Sequence, residues 1–254
     1  MSFIETFKKD KNRYITGITL LLVVLLVGLL DNFFFTWLFL GVAYLVATHE
    51  SMKLFKIENN YLYTFVVLIW LVAAFYPNPD DLSFLILIVL VGIMLYRKSM
   101  DFKILYPFLY PVTSFLFILA LYHDFGMRVL IWLVVVVVCS DTGAYFVGKS
   151  FGKRKFSPIS PNKTIEGVIG GIVIATVFGT LVGYELVGFW LGAIVSFFTS
   201  LSSIYGDLFE SYLKREAGVK DSGNILPGHG GVLDRVDGYL FAGVVMVILL
   251  RGLA

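Results

Sequence analysis

Nine apolar segments, separated by short polar stretches, constrain what this chain of 254 residues can fold into. Hydrophobic residues make up 58% of the chain and charged residues only 15%, whereas a soluble domain carries about 25% charged residues. Long apolar runs are typical of membrane-spanning helices, whereas a membrane β-barrel shows shorter segments of alternating hydrophobicity. The sequence therefore predicts an all-α fold, a polytopic helical integral membrane protein with about nine transmembrane helices. The segments are 14–30, 33–47, 61–76, 82–96, 104–122, 129–148, 165–184, 189–209 and 239–253.

Positive charge is distributed unevenly between the polar stretches. If the N-terminus is cytoplasmic, 18 of the 20 Lys and Arg residues lie on the cytoplasmic side, and only Arg128 and Arg251 lie on the other. Because Lys and Arg accumulate in cytoplasmic loops, this bias favours a cytoplasmic N-terminus and an odd number of spans. A wrong number of segments would scramble the alternation, so the bias also supports nine. The 18 residues lie within 1–13, 48–60, 97–103, 149–164 and 210–238.

The remaining composition narrows the kinds of site that the chain can hold. The single cysteine, Cys139, excludes an intramolecular disulfide and a cysteine-cluster metal site. Asp31 and Asn32 follow the first apolar segment in place of a small-residue cleavage site, so we expect a membrane helix there and not a cleaved signal.

The polar stretch from Ser211 to Asp237 reads SYLKREAGVKDSGNILPGHGGVLDRVD. It combines glycines, cations and carboxylates at high density. Glycines let backbone N–H groups approach an anion closely, and Lys or Arg neutralises that anion. Asp oxygens are hard ligands suited to Mg²⁺, which itself bridges phosphates. The stretch therefore predicts a site for phosphates and a metal, and the alternative interpretation is a solvated cytoplasmic loop.

This stretch resembles the signature of the phosphatidate cytidylyltransferases, also called CDP-diacylglycerol synthases. In that signature Ser, an aliphatic residue, Lys-Arg and Lys-Asp precede a Gly-containing spacer, Pro-x-His-Gly-Gly and finally Asp-Arg-x-Asp. A match at so many polar positions is a specific signal, and the resemblance extends over about residues 138–240. The matching residues are Ser211, Leu213, Lys214, Arg215, Lys220, Asp221, Pro227, His229, Gly230, Gly231, Asp234, Arg235 and Asp237.

Asp141 lies inside the sixth apolar segment, near its cytoplasmic end. A carboxylate within the membrane is costly, so it indicates a functional site by default. Tyr145 follows four residues later and is predicted to share the same helix face. The alternative interpretation is an aspartate that packs between helices and bonds to Thr or Tyr.

A second polar element, SPNKTIEG at 160–167, precedes the seventh apolar segment. Thr164 is predicted to cap the helix with Glu166 in its first turn, which places Lys163 beside a helix N-terminus that favours anions. The resembled family has a similar element, often with a second Lys where this chain has Asn162, so the local charge here is lower by one. The basic residues 153–155 fit equally well as a plain positive cytoplasmic loop.

Two helical spacings place polar groups on common faces. Residues at i, i+3, i+4 and i+7 lie on one stripe of a helix, and Asp234 and Asp237, at i, i+3, share a face if the ninth helix begins before its apolar segment. A helix on the protein surface would show the i, i+3, i+4, i+7 pattern too. Because this stripe lies directly before the signature, we interpret it as one wall of the site. The residues of the first stripe are Asp207, Glu210, Ser211 and Lys214. Small residues allow close helix packing, which is the role predicted for Gly167, Gly170, Gly171, Gly179 and Gly183.

We divide the chain into residues 1–125, an N-terminal region of five transmembrane helices, and 126–254, a C-terminal catalytic region with cytoplasmic site loops. In the first region, His49 and Glu50 end the second segment and are interpreted as structural capping groups in preference to catalytic ones. Pro107 and Pro111 predict a kink or a break in the fifth segment.

The resemblance implies transfer of CMP from CTP to phosphatidic acid, giving CDP-diacylglycerol and pyrophosphate in phospholipid biosynthesis, with Mg²⁺. The nucleophile is a phosphate oxygen that is already anionic, so positioning and charge neutralisation are the main levers. The catalytic residues assigned on this basis are Asp234, Asp237, Lys220, His229 and Arg235. Substrate binding is assigned to Lys163, Thr164, Glu166, Ser211, Lys214, Arg215, Asp221, Gly228, Gly230 and Gly231. Metal binding, to Mg²⁺ alone or with a second cation, is assigned to Asp141, Asp207, Asp234 and Asp237.

The resemblance also implies CTP, phosphatidic acid and the lipid bilayer as partners, a homodimer, and no nucleic acid. It implies a multi-pass enzyme of the inner (plasma) membrane whose active site faces the cytoplasm. A CDP-archaeol synthase or a CTP-dependent prenol kinase would share the nucleotide site and differ in the lipid. A transporter would use Asp141 and Asp207 as coupling sites, but the inverted repeats typical of transporters are not visible. A purely structural membrane protein would not need the polar loop at 220–237.

Overall fold

The structure, a computed structural model, describes residues 11–57, 60–98 and 102–253, with the side chains of 11–13 left out. These residues form nine α-helices and no β-strand. The helices are α1 (Lys11–Leu30), α2 (Phe33–Leu54), α3 (Asn60–Ala73), α4 (Leu82–Tyr96), α5 (Thr113–Phe125), α6 (Met127–Phe151), α7 (Ile165–Val187), α8 (Phe189–Glu216) and α9 (Leu233–Leu253).

The predicted apolar segments each overlap one helix or helix-like segment. Among the described residues, seven helices or helix-like segments are long and apolar enough to cross a membrane. Two shorter apolar helices cover Tyr14–Leu30 and Asn60–Ala73. The all-α, polytopic membrane fold is therefore confirmed. The number of nine spans and the cytoplasmic N-terminus stay predictions.

Three helices extend further into polar sequence than apolarity alone predicts. α2 continues to Leu54, α8 continues to Glu216, and α9 begins at Leu233 and not near 239. The added turns carry Glu50 and Asp234, which bond to groups in neighbouring elements. Because these polar groups find partners at one end of the bundle, the helices need not stop where the apolar residues stop.

The C-terminal helices pack closely because small residues line their contacts. α6 packs along α7, α7 along α8, and α8 along α9. A Cβ atom added at Gly171 would lie 2.5 Å from the carbonyl oxygen of Ser140, and one at Gly183 would lie 2.4 Å from the Trp132 ring. All five glycines predicted to serve helix packing have such contacts, so that prediction is confirmed; they are Gly167, Gly170, Gly171, Gly179 and Gly183.

The fifth apolar segment is broken before α5, as its prolines predict. A 3₁₀ turn (Phe102–Leu105) and an irregular segment (Phe108–Val112) precede the regular helix. Tyr110 has non-helical backbone angles, φ −152° and ψ 116°. Its carbonyl oxygen accepts a hydrogen bond from the Ser51 hydroxyl at 3.1 Å. Irregular backbone at membrane depth requires burial in protein, and Tyr110 is buried.

A charged cluster joins three elements at the far end of α9. Arg251 donates two hydrogen bonds to Asp80, at 2.6 and 3.0 Å, and one to Asp124 at 2.8 Å. Since α9 rises about 1.5 Å per residue, this cluster lies at the end of the bundle opposite to the start of α9. The division of the chain at 125/126 stays a prediction, and α5 packs against α9 across it.

Candidate functional site

The loop between α8 and α9 contains a tight turn built on two glycines. His229 donates its backbone N–H to the Leu226 carbonyl at 2.9 Å, and Leu226 donates to the Gly230 carbonyl at 3.0 Å. Gly228 and Gly230 have φ values of 78° and 80°, a region that residues with a Cβ rarely adopt. The glycines of the signature therefore set the path of the loop.

Asp234 organises this loop from the first turn of α9. One of its oxygens, Oδ2, accepts hydrogen bonds from the Ser222 N–H at 2.9 Å, the Ser222 hydroxyl at 2.9 Å and the Gly231 N–H at 2.8 Å. The other, Oδ1, accepts from Lys214 Nζ at 2.7 Å. Both carboxylate oxygens thus bond to groups of the protein. Asp234 therefore holds the two halves of the loop together.

Lys214 bridges two helices through a pair of carboxylates. Its ammonium group contacts Glu210, one turn earlier on α8, and Asp234 on α9. The Glu210 side chain is fully buried and that of Lys214 is 13% exposed. A buried carboxylate without a cation would carry a large desolvation cost. The positive charge of Lys214 therefore allows Glu210 and Asp234 to lie together where α8 meets α9.

Glu50 reaches the same loop from the first half of the chain. Its Oε1 accepts the Val232 N–H at 3.2 Å and its Oε2 accepts the Leu233 N–H at 2.8 Å. The Ser222 hydroxyl donates to Oε2 at 3.3 Å. A carboxylate at a helix N-terminus satisfies free N–H groups and interacts favourably with the helix dipole. Glu50 thus has a structural capping role, as predicted, but the helix that it caps is α9 and not the helix that it ends.

Lys163 and Asp207 form an ion pair that links the loop before α7 to α8. Both side chains are partly exposed, at 25% and 28%. The Ser211 hydroxyl donates to the other Asp207 oxygen at 3.4 Å. Thr164 caps α7 by accepting the Gly167 N–H at 3.2 Å, which confirms the predicted cap. The cap fixes Lys163 where it reaches α8.

Glu166 orders the loop at 152–164 from the first turn of α7. Its Oε2 accepts the N–H groups of Lys153 and Arg154 at 3.0 and 3.2 Å, and its Oε1 accepts Arg154 Nε at 3.1 Å. An open cleft of about 400 Å³ lies beside it, lined by Ser150, Phe151, Gly152, Lys153 and Glu166. The assignment of Glu166 to substrate binding stays a prediction. In the structure, the contacts of Glu166 position the loop at 152–164.

Asp141, Asp207 and Asp237 lie close enough to one another to interact electrostatically. Asp237 accepts the Gly238 N–H at 2.8 Å. These contacts and close approaches join five carboxylates and two lysines, which are Asp141, Asp207, Glu210, Asp234 and Asp237 with Lys163 and Lys214.

Carboxylate oxygens are ligands suited to a divalent cation such as Mg²⁺. Across 11–57, 60–98 and 102–253, however, the His, Cys, Asp and Glu side chains form no ready-made group of three or more that could hold a metal. Asp207 and Asp234 are engaged by lysines. A metal would therefore compete with Lys163 or Lys214 for these oxygens.

The remaining residues of the signature lie on the outer surface of the loop. Arg215 donates to the Val219 carbonyl at 3.3 Å, and Arg235 donates to the His229 carbonyl at 2.9 Å. Lys220 and Asp221 are exposed. The structure therefore does not bring Arg215 into the carboxylate group. Both ends of the loop are nevertheless ordered by neighbouring residues.

α1 supplies a contact with this loop that sequence reasoning missed. The Thr16 hydroxyl donates to the Pro227 carbonyl at 3.1 Å. A Cβ added at the neighbouring Gly17 would lie 3.5 Å from the His229 ring. A threonine followed by glycine in an apolar helix has no distinctive pattern, so only the folded arrangement reveals this contact.

The sequence pattern of the Cytidylyltransferase family matches residues 11–253. The chain belongs to this family. It is 44% identical to the phosphatidate cytidylyltransferase of Helicobacter pylori strain J99, over 97% of this chain and 94% of that protein. It is 36% identical to the phosphatidate cytidylyltransferase of Bacillus subtilis strain 168, over 94% and 97%. A protein of the same name from Thermotoga maritima is 36% identical over 82% and 84%.

Proposed function

We propose that the chain is a phosphatidate cytidylyltransferase, which transfers CMP from CTP to phosphatidic acid and produces CDP-diacylglycerol and pyrophosphate in phospholipid biosynthesis. The observation that carries the proposal is the match to proteins of that name along nearly the whole length of both chains. The clustering of Lys163, Lys214 and the site carboxylates at one end of the helices supports it.

The reaction needs positioning more than proton transfer. A phosphate oxygen of phosphatidic acid attacks the α-phosphorus of CTP; the new P–O bond forms as the bond to the pyrophosphate oxygen breaks. The attacking oxygen is already anionic, so no strong base is required. Bringing two anions together and stabilising the leaving group are then the main barriers.

Lys163 and Lys214 are placed to lower these barriers. Each is held against carboxylates at the junction of α8 with a neighbouring element. Lys163 also lies at the N-terminus of α7, which favours phosphate. We assign triphosphate binding to Lys163 and the stability of the adjoining loop to Lys214, whose contacts are with Glu210 and Asp234.

A divalent cation, Mg²⁺, belongs to the proposal. The proximity of the carboxylates of Asp141, Asp207 and Asp237 to one another supports it. When bound, it would neutralise charge on the phosphates as pyrophosphate leaves. Asp141 and Asp237 would hold it, joined by Asp207 or Asp234 where the metal displaces Lys163 or Lys214.

The membrane arrangement is proposed in the same way. The site lies at one end of the helices, and the Arg251 cluster lies at the other. In the predicted topology, most Lys and Arg residues lie on the same side of the membrane as the site. This supports a site on the cytoplasmic side of a bacterial inner membrane. A homodimer is part of the proposal through the family resemblance alone.

The experiment is transfer of label from α-³²P-CTP into the lipid phase by the purified protein. Label in lipid that depends on both phosphatidic acid and Mg²⁺, with release of pyrophosphate, is the expected result. Transfer to an archaeal ether-lipid phosphate in place of phosphatidic acid would change the acceptor. Transfer from γ-labelled CTP to a prenol would make the protein a kinase. No transfer in all three assays from folded protein would reject the enzyme and favour a transporter.

A further inference from the structure

Tyr110 is presented to the site by the broken segment that precedes α5. Only 4% of the surface of Tyr110 is exposed to solvent. The ring packs edge-on against Phe209 at a centroid distance of 5.0 Å and against Phe241 at 5.9 Å. Phe209 lies between Asp207 and Glu210 on α8, and Phe241 follows Asp237 by one turn on α9. The ring is therefore held between the two helices that carry the site carboxylates.

The Tyr110 hydroxyl has no hydrogen-bond partner among the described residues. Burying a hydroxyl without a partner is unfavourable, and such groups in native proteins call for an explanation. The phenol is within electrostatic range of Asp237, Glu210, Asp207 and Asp234. A buried donor that lies near the site carboxylates and bonds to none of the described residues is available to a ligand.

The backbone at Tyr110 is fixed by the helix that also caps α9. Ser51 donates its hydroxyl to the Tyr110 carbonyl at 3.1 Å, and its neighbour Glu50 accepts the Leu233 N–H. Tyr110 is therefore held in place relative to the start of α9, and its ring cannot easily turn to find another partner.

Resting on the proposed function, we propose that Tyr110 contacts the substrate: its hydroxyl donates a hydrogen bond to a phosphate oxygen of bound CTP or phosphatidic acid. A neutral donor suits this position. Lysines near these acids are drawn into ion pairs, as Lys163 and Lys214 are. A phenol held by ring packing adds no charge and remains free for the phosphate.

Tyr110→Phe tests the proposal because it removes only the hydroxyl and keeps the ring. We expect kcat/KM to fall about 10- to 100-fold, the loss typical of one hydrogen bond to a charged group. The thermal stability should be unchanged or higher, since an unpartnered buried hydroxyl is removed. A rise in KM for phosphatidic acid would place the bond on the lipid phosphate, and a rise in KM for CTP would place it on the nucleotide.

Tyr44→Phe is the matched control. Tyr44 is fully buried, but its hydroxyl donates to the Val66 carbonyl at 3.0 Å, away from the site carboxylates. We expect lower thermal stability and unchanged kinetic constants. Opposite behaviour of the two variants separates a ligand contact from a structural role.

Wild-type kinetics in Tyr110→Phe would overturn the proposal, as would a loss of activity that merely follows a fall in melting temperature. If the wild type itself fails to transfer label to phosphatidic acid, the proposed function fails separately. Equilibrium binding of radiolabelled CTP with Mg²⁺, and separately of radiolabelled phosphatidic acid, then decides the role of Tyr110. Weaker binding of either by the variant supports the phosphate contact, and equal binding of both rejects it.

Discussion

Glu50 and Leu233 are 183 positions apart in sequence, and Glu50 Oε2 accepts the Leu233 backbone N–H at 2.8 Å. The same carboxylate accepts the Val232 N–H and the Ser222 hydroxyl. A helix of the first half of the chain thus fixes the start of the helix that carries Asp234 and Asp237.

Glu50→Ala should therefore destabilise the protein and lower its activity together. The change leaves buried N–H groups at the start of α9 without an acceptor, which costs about 1–3 kcal/mol. The measurement is thermal unfolding in detergent combined with the label-transfer assay. His49→Ala is the control, since His49 bonds to Tyr63 and not to the loop. Equal melting temperatures of Glu50→Ala and the wild type would refute the capping role.

Lys214→Met should be more damaging than the loss of a surface ion pair. It leaves Glu210 and Asp234 facing each other without a cation, and breaking a buried pair costs about 3–5 kcal/mol. Adding Glu210→Gln removes one uncompensated charge, so the double variant should recover part of the lost stability. Chemical or thermal unfolding measures both. A double variant no more stable than Lys214→Met would show that the shared lysine is not what couples the two acids.

Asp237→Asn should reduce turnover at least about 100-fold, as expected for loss of a charged group that acts in the transition state, while folding is retained. The side chain keeps its size and its ability to accept the Gly238 N–H. Asp81→Asn, at an exposed position beside the far-end cluster, is the control and should be silent.

Removal of Mg²⁺ with a chelator extends the same test. Activity of the wild type should vanish and return when Mg²⁺ is added. Near-normal turnover of Asp237→Asn with an unchanged Mg²⁺ requirement would remove this residue from the metal site.

Lys163→Ala should raise KM for CTP by about 10-fold or more, because a charge-assisted contact contributes about 1.5–3 kcal/mol. Asp207 then lacks its cation, so Lys163→Arg should retain more activity than the alanine variant. Lys155→Ala, in the exposed basic loop, is the matched control and should leave KM unchanged. An equal effect of both alanine variants would indicate a general electrostatic role in place of a specific one.

Gly206→Ala should weaken the contact between α8 and α9 beside the site. An added Cβ would lie 2.4 Å from the Asp237 carbonyl oxygen, and backbone atoms cannot yield as a flexible side chain does. Both melting temperature and turnover should fall. Gly28→Ala places a methyl where nothing lies within 4 Å and should be tolerated. Full activity in Gly206→Ala would mean that the two helices can separate without cost to the site.

The sequence predicts those features that depend on local composition. Apolar runs locate the helices because each must match the membrane. Thr164 was recognisable as a cap from its position before Glu166, and the prolines at 107 and 111 predicted the break at Tyr110. Each of these depends on residues close together in the chain.

The partners of the polar groups were not predictable in the same way. Glu50 looked like a local capping group, and its bond to Leu233 depends on how α2 packs against α9. Helical spacing also did not show that Asp234 bonds to Ser222, Gly231 and Lys214, and its assignment to a metal site stays a prediction. Helical spacing places a side chain on a face but does not say which group of another helix it meets.

The Arg251 cluster has a consequence for the order in which the molecule can be completed. Arg251 bonds to Asp80 and Asp124, and the opposite end of α9 is capped by Glu50. All three acceptors precede α6 in the chain, so they are synthesised and inserted before α9 emerges from the ribosome. The polar partners of α9 are therefore in place at both ends of the bundle before this last described helix inserts, and Asp234 and Asp237 join Asp141, Asp207 and Glu210 only when that insertion is finished.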